Sequence, residues 1–271
     1  MGRGLHVRLG VTDVAVERVD HVGVVELRRP PHNFVDPAVL GDLADAVDAL
    51  DGDPACRAIV VAADGKSFCA GANFAAAADA EASSGDVPDF RTGARRFYDQ
   101  ALRLFAATTP MVAAVHGPAV GGGLGLALVA DLRVTCPEAR FAANFVKLGI
   151  HPGFGSTVTL PELVGPARAA DLFLTGRRVG GEEALRLGLA DRCVVRAGVR
   201  DAALELAGEV AGAAPLAVAA VRATLRRGLV ERVRAALEHE LEEQARLVAT
   251  DDAREGMAAV FGRRDPIFRG R

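Results

Sequence analysis

The stretch AAVHGPAVGGGLG at residues 113–125 carries the strongest structural signal in the sequence, because an apolar run leads straight into three glycines. This pattern predicts a buried strand that turns into the start of a helix. The first N–H groups of a helix have no partner within it, and the helix dipole is positive at that end. Such a turn can stabilise a developing oxyanion, and glycines keep side chains away from it. The alternatives are a phosphate loop and a packing turn, but the spacing matches neither the Walker pattern nor G-x-G-x-x-G.

A second glycine-containing segment, GKSFCAGANF at residues 65–74, directly follows a predicted buried strand at Arg57–Ala63. Small residues at 70–72 let the backbone approach a ligand closely, and Gly71 can adopt a positive φ. The turn can therefore present an unpaired backbone N–H. Taken alone, the segment is better interpreted as an ordinary turn after a strand.

Around these two segments, periodicity and turn residues predict an α/β protein. A helix at Pro37–Leu50 has Asp36 as its cap and a proline at its first position. Strands are predicted at Val14–Val19, Val22–Leu27, Arg57–Ala63, Met111–Val115 and Leu132–Thr135. Strands that alternate with helices indicate repeated β-β-α or β-α-β units around a parallel core. Residues 198–260 have an almost entirely helical pattern, rich in Ala, Leu, Arg and Glu.

Composition disfavours several classes of function. The chain has 271 residues, a formal net charge of -3 and no long run of Lys or Arg, which argues against a nucleic-acid partner. Its four cysteines are scattered, so neither a zinc site nor a disulfide framework is predicted. The sequence shows no secretory signal and no apolar run long enough to span a bilayer. We therefore expect a cytoplasmic protein without a membrane partner or a metal.

Together, the two glycine segments resemble those of the enoyl-CoA hydratase/isomerase family, the crotonases, and the resemblance covers nearly the whole chain. The matching stretches include PHNF at 31–34, FCAGA at 68–72, residues 114–123, ADLR at 130–133, LGI at 148–150, LTG at 174–176 and the tail at 255–268. The resemblance implies a crotonase-like spiral of repeated ββα units over residues 1–198. A C-terminal helical region over residues 199–271 would serve oligomerisation and pocket closure. It also implies a homotrimer or a dimer of trimers.

The same resemblance implies an acyl-CoA ligand, with coenzyme A as part of the substrate and no separate cofactor. In the family, two backbone N–H groups form an oxyanion hole, and their positions correspond to Ala72 and Gly122 here. The residues that would bind the CoA thioester are Lys66, Ser67, Phe68, Ala70, Ala72 and Gly122.

The chain departs from the family at the positions that carry acids. Family hydratases position a water and move a proton with two glutamates, whose positions are Gly125 and Phe145 here. The aspartate of some isomerases and hydrolytic members corresponds to Gly153, and the aspartate common after Ala72 is replaced by Asn73. The carbonyl-binding half is thus retained, while each usual acid or base is missing.

Two residues are candidates to replace the missing acids. Asn144 neighbours Phe145 and could orient a water, although an amide cannot act as a base. His151 titrates in the useful pH range and lies in the segment that lines the acyl pocket in relatives. The alternative for His151 is a hydrogen-bonded structural histidine. Tyr98, the only tyrosine, is interpreted as core packing or pocket lining.

Three hypotheses for function follow. The first is an enzyme whose chemistry needs chiefly the oxyanion hole, for example decarboxylation of a malonyl-type CoA ester, or a hydration or isomerisation that uses His151 or an ordered water. The second is a non-catalytic acyl-CoA-binding or regulatory protein. The third is a conventional enoyl-CoA hydratase, which would require acids at positions other than 125 and 145. The acyl group is not predicted, because the pocket shape depends on the variable region 75–95.

Overall fold

The computed structural model describes residues 13–72 and 90–271, which form a mixed α/β structure with two sheets. Asn73 and residues 75–89 of the variable region lie outside these ranges. The strands are β1 (Val14–Val19), β2 (Val22–Leu27), β3 (Ala58–Ala63), β4 (Met111–Val115), β5 (Ala119–Val120), β6 (Leu132–Thr135), β7 (Arg140–Ala142), β8 (Arg178–Gly180) and β9 (Arg192–Cys193). The larger sheet has the order β1-β2-β3-β4-β6-β9, and the smaller has the order β5-β7-β8. The predicted α/β fold class is confirmed.

The helices follow the strands as predicted, and the C-terminal part is mostly helical from residue 199 to residue 261. They are α1 (Pro37–Asp51), α2 (Phe90–Ala106), α3 (Gly122–Val129), α4 (Ser156–Val164), α5 (Pro166–Thr175), α6 (Gly181–Leu187), α7 (Val199–Gly212), α8 (Pro215–Leu225), α9 (Leu229–Leu247) and α10 (Asp251–Phe261). Helix α7 packs against β3, β4 and β6, so it covers one face of the larger sheet. The division between residues 1–198 and 199–271 stays a prediction. No single helix in the described ranges is long and apolar enough to cross a membrane. The segment Arg196–Gly212 and helix α8 together have the length and apolar composition of a span, but they are bent by 107° relative to each other.

Local sequence signals explain the first elements. Strands β1 and β2 form an antiparallel hairpin, and Asp20 in its turn has a φ of 53°. At the start of α1, the Asp36 carboxylate accepts hydrogen bonds from the N–H groups of Ala38 and Val39, each at 3.0 Å. Helix α1 then buries Leu40, Leu43 and the other residues of its apolar stripe.

The parallel strands bring the two glycine segments to one edge of the sheet. Strands β3 and β4 are parallel neighbours, with Val61 opposite Ala113. Their C-terminal ends therefore meet at the same edge, where open α/β sheets usually bind ligands. The segment after β3 and the segment after β4 both begin there. A bridge between Cys69 and Ala119 joins them.

Helix α8 has its charged residue inward and its apolar residues outward. Its buried residue is Arg222, which donates to Asp131 Oδ2 at 2.8 Å. Burial would raise the pKa of the Asp131 carboxyl, but Arg222 and Arg226 together hold it below its ordinary value. Leu216 and Leu225 are 86% and 80% exposed. Because the ion pair fixes this orientation, α8 presents apolar surface that the described part of the chain does not cover.

Candidate active site

The two glycine segments pack backbone against backbone. The Cys69 N–H donates to the Pro118 carbonyl at 3.1 Å, and the Val120 N–H donates to the Cys69 carbonyl at 3.0 Å. A methyl carbon placed on Gly123 would lie 1.9 Å from the Cys69 oxygen, which no side chain could tolerate. The glycines are therefore needed for the approach of the two segments, which the sequence alone did not indicate.

The structure brings the predicted oxyanion donors, Ala72 and Gly122, close together. A methyl carbon on Gly122 would lie 3.9 Å from the Ala72 nitrogen, and one on Gly71 would lie 3.5 Å from the Gly122 nitrogen. Gly71 has the predicted positive φ, at 95°. Neither N–H donates a hydrogen bond to another described residue. Gly122 is also the first residue of α3, so the positive end of the helix dipole lies at this point.

The residues predicted to line the CoA path divide into exposed and buried ones. Lys66 is exposed and Ala70 is half-buried, whereas Ser67 and Phe68 are buried. The N–H groups of Lys66, Ser67 and Ala70 donate to the carbonyl oxygens of residues 31–32, at 2.9, 3.3 and 3.0 Å. These three N–H groups therefore already have acceptors, and the Phe68 ring belongs to the core. A ligand along this segment would contact the Lys66 side chain and the half-buried Ala70, and not the three N–H groups or the Phe68 ring.

An aromatic ring fills the space beside Gly125, the first position at which the family resemblance predicts a missing glutamate. A methyl carbon on Gly125 would lie 2.5 Å from Phe154 Cβ and 2.6 Å from its Cγ. Phe154 is almost fully buried and has a φ of 64°, which is rare for a residue with a large side chain. The glycine at 125 is thus required by the packing of Phe154, and a glutamate there would displace that ring.

Phe154 also reaches the proposed oxyanion donors. A methyl carbon on Gly122 would lie 3.8 Å from Phe154 Cδ2 and 3.6 Å from Phe97 Cζ. The rings of Phe97 and Phe154 meet edge to face, with centroids 5.7 Å apart. Phe105 packs on Phe154 at 6.4 Å. The sequence near Phe154 gives no sign of this role, because the neighbours of the ring come from α2 and α3, which are distant in sequence.

Phe145, the second position at which the family resemblance predicts a missing glutamate, carries a buried ring near Gly121. A methyl carbon on Gly121 would lie 3.7 Å from Phe145 Cε1 and 3.9 Å from Asn144 Oδ1. The Asn144 Oδ1 atom is buried and has no hydrogen-bond partner among the described residues. Asn144 therefore places an unused acceptor beside the residue that precedes Gly122.

The His151 side chain packs against α9. One ring nitrogen, Nδ1, lies 2.8 Å from the Pro152 carbonyl, which fits an N–H donor at that position. The ring packs edge to face with His239 of α9, with centroids 5.7 Å apart. These contacts match the structural interpretation of His151 better than the catalytic one.

Tyr98 occupies the space next to Gly153, the position of the aspartate of some family isomerases. A methyl carbon on Gly153 would lie 2.3 Å from the Tyr98 hydroxyl oxygen and 2.7 Å from Gln244 Nε2. The Tyr98 hydroxyl donates to Gln244 Oε1 at 2.8 Å, and the Phe154 backbone hydrogen-bonds to the same hydroxyl. Burial raises the pKa of Tyr98, with the Glu240 charge acting in the same direction. Tyr98 is thus a neutral packing residue that helps to hold Phe154.

A buried carboxylate, Glu240 of α9, holds the other side of the Phe154 loop. It accepts from the Gly155 N–H at 2.8 Å, the Thr157 N–H at 3.2 Å and the Thr157 hydroxyl at 2.6 Å. Its side chain therefore caps the N-terminus of α4. Glu240 was not predicted as a site residue. The signal that could have found it is its place on the buried stripe of α9 with Val233, Leu237 and Leu241, where a carboxylate is unusual.

The Glu240 carboxyl should give the fold a specific pH dependence. Burial raises its pKa from 4.5 to about 7, although hydrogen bonds from Thr157 and Gly155 oppose this. The titratable groups that interact with it are Tyr98 of α2 and His239 of its own helix. Its contribution to stability is fully present below pH 4.5, the ordinary value, and is lost as the pH rises through about 7.

We therefore expect the free energy of unfolding to fall by about 3 kcal/mol between about pH 4.5 and 7.5, relative to Glu240→Gln. The measurement is thermal unfolding across this pH range. Glu238→Gln is the matched control, because Glu238 lies on the same helix but is exposed and paired with Arg95. The same slope in Glu240→Gln and the natural protein would contradict the assignment.

Comparisons with known proteins agree with this fold. A family model described as enoyl-CoA hydratase/isomerase matches residues 17–271. A curated relative, carnitinyl-CoA dehydratase from Proteus mirabilis, is 37% identical over 250 residues, which cover 90% of this chain and 94% of the relative. The carnitinyl-CoA dehydratase of Escherichia coli K12 is 36% identical over 252 residues, covering 91% and 94%. A solved enoyl-CoA hydratase/isomerase from Pseudoalteromonas atlantica superposes with a TM-score of 0.82 at 30% identity, covering 95% of this chain and 100% of that one. Within the described residues, no group of three or more His, Cys, Asp or Glu could hold a metal ion.

Proposed function

Because the chain belongs to the enoyl-CoA hydratase/isomerase family, we propose that it binds an acyl-CoA thioester and stabilises its enolate between the N–H groups of Ala72 and Gly122. The observation that carries this proposal is the pair of adjacent backbone donors, neither of which has an acceptor in the part of the chain that the structure describes. A thioester oxygen could take both hydrogen bonds and would lie at the positive end of α3. Coenzyme A enters as part of the substrate.

The missing acids restrict the chemistry to reactions that need the oxyanion hole more than a side-chain base. Decarboxylation of a malonyl-type CoA ester fits this requirement. The C–C bond to the carboxylate breaks, and its electron pair passes into the thioester, giving an enolate and CO₂. Water then protonates the enolate at its α-carbon. The protein would supply only the two N–H donors and a site from which bulk water is largely excluded.

The curated relatives are named for dehydration, which we do not transfer to this chain. Removing water from an acyl-CoA needs a base for the α-proton and an acid for the leaving hydroxyl. Positions 125 and 145 carry no titratable group, and Phe154 fills the space at Gly125. We therefore propose that this protein shares the ligand class of the relatives but not their reaction.

The second candidate function is non-catalytic binding or regulation by acyl-CoA. The observation that favours it is the same filled acid position. A panel of CoA esters, followed by mass spectrometry for turnover and by calorimetry for affinity, separates the two candidates. Turnover of any ester supports the enzyme, and tight binding without turnover supports the binding protein. Equal affinities for free CoA and for all esters would contradict both.

We also propose that the protein assembles as a homotrimer or a dimer of trimers, in which a neighbouring subunit covers α8. Burying Leu216 and Leu225 would remove substantial apolar surface from water, and each such side chain contributes roughly 1.5–3 kcal/mol. We expect Leu216→Glu/Leu225→Glu to dissociate the assembly in sedimentation velocity. Val19→Glu is the control, because Val19 is also exposed but ends β1. A natural protein that sediments as a monomer at micromolar concentration would contradict the proposal.

A further inference from the structure

Phe154 is held in one position by elements from three parts of the chain. Its φ of 64° and the 67° of Gly155 place both residues in the left-handed region, which costs a side-chain-bearing residue free energy. The Tyr98 hydroxyl of α2 hydrogen-bonds to the backbone of Phe154. The Glu240 carboxylate of α9 accepts a hydrogen bond from the N–H of the next residue, Gly155. Because the surrounding bonds impose a costly backbone conformation, the ring direction is a built feature of the fold.

The ring closes the side of the site that faces α3. Its edge lies within van der Waals reach of the point where a Gly122 side chain would begin, and its Cβ and Cγ cover Gly125. An acyl chain that runs from the Ala72–Gly122 pair along α3 therefore meets the ring. Phe97 closes the adjoining direction with a second ring. Neither ring can form a conventional hydrogen bond. A polar substituent that points toward the rings would therefore lose its hydrogen bonds to water and gain none from the protein there.

We propose that Phe154 determines the acyl specificity of the thioester site by limiting the part of the acyl group that runs along α3 to a short, apolar one, and that Glu240 is the positioning residue that holds the ring. The carboxylate of a malonyl-type ester would then point away from the two rings. This inference rests on the proposed function. It adds a substrate class, because a short apolar acyl group fits against the rings, whereas a longer chain directed along α3 does not.

The test measures affinities for acetyl-, butyryl-, hexanoyl- and octanoyl-CoA by calorimetry, with free CoA as the reference. Burying one methylene changes affinity by about fourfold, so two are worth on the order of tenfold. We expect the natural protein to bind hexanoyl-CoA no more tightly than butyryl-CoA, because the ring leaves no room to bury the two added methylenes. In Phe154→Ala hexanoyl-CoA should bind roughly tenfold more tightly than butyryl-CoA, with Phe154→Leu intermediate. Leu43→Ala, a truncation in the core of α1, should keep the natural ratio.

The role of Glu240 has its own readout. Glu240→Ala should shift the hexanoyl to butyryl ratio in the same direction as Phe154→Ala, which a purely stabilising residue would not do. Glu238→Ala, exposed on the same helix, should leave the ratio unchanged. An unchanged ratio in Glu240→Ala removes the positioning role.

The outcomes separate this inference from the proposed function. If the esters bind and the ratio is the same in Phe154→Ala, Phe154→Leu and the natural protein, the specificity role is overturned and the thioester site stands. If folded natural protein binds no ester better than free CoA, the proposed function is overturned and the specificity role with it.

Discussion

Hydration of crotonyl-CoA by the natural protein should be very slow or absent. Adding water to the double bond requires a base that activates the water and an acid that protonates the α-carbon, and positioned groups of this kind contribute roughly 10²–10⁴-fold. The positions that carry them in hydratases are Gly125 and Phe145, and the Phe145 ring excludes water from its own position. The measurement is the loss of crotonyl-CoA absorbance over time.

Restoring the two carboxylates alone should not restore hydration, because Phe154 fills the space at Gly125. We expect Gly125→Glu/Phe145→Glu to remain inactive or to fold poorly. Adding Phe154→Ala makes room for the new side chain, so the triple variant should exceed the double variant by roughly 10²-fold or more. Phe154→Ala alone is the control and should gain no hydration. Rapid hydration by the natural protein, at hundreds of turnovers per second, would show that another residue supplies the acid and base.

A side chain at Gly122 should abolish most of the activity toward the natural ester. The first carbon of Gly122→Val would lie 3.9 Å from the Ala72 nitrogen, and the rest of the side chain would crowd the approach to the two donors. Loss of one oxyanion donor costs roughly 10²–10³-fold in turnover, and blocking access to the pair should cost at least as much. The readout is turnover of whichever ester the panel identifies, or its affinity relative to free CoA if none reacts.

Gly208→Val is the matched control for this substitution. Gly208 lies on α7, is exposed, and has no atom within 4 Å of an added methyl carbon. It should therefore keep the natural activity. If Gly122→Val and Gly208→Val behave alike, the Gly122 N–H does not contact the thioester.

The backbone of the site could be predicted from sequence because its signals are local. Three glycines after an apolar run indicate a helix start with open donors, and a glycine after a buried strand indicates a turn with positive φ. Gly71 and Gly122 have those conformations. Each segment alone indicates only a turn, and the prediction that the two form one site depends on the family resemblance.

The side-chain half of the site could not be predicted, because it depends on contacts between distant segments. The family resemblance predicts a missing acid at Gly125, but the sequence gives no sign that the Phe154 ring fills the space beside it. The position of Phe154 depends on Glu240, which is 86 residues further along and bonds Gly155 and Thr157. His151, one of two candidates to replace the missing acids, packs against His239 of α9. The other candidate, Asn144, has a buried Oδ1 near Gly121 that has no partner among the described residues, and its role in orienting a water stays a prediction.

The central claim is that the N–H groups of Ala72 and Gly122 bind the thioester oxygen, and the carbonyl stretching frequency of a bound ester tests it most directly. The measurement is isotope-edited infrared spectroscopy of butyryl-CoA labelled at the carbonyl carbon, free and bound to the natural protein, to Gly122→Val and to Gly208→Val. Two hydrogen bonds polarise the C=O bond, so we predict a lower frequency on binding to the natural protein and to Gly208→Val, and a smaller shift in Gly122→Val. A bound ester whose carbonyl frequency equals that of the free ester, or shifts equally in all three proteins, would contradict the account.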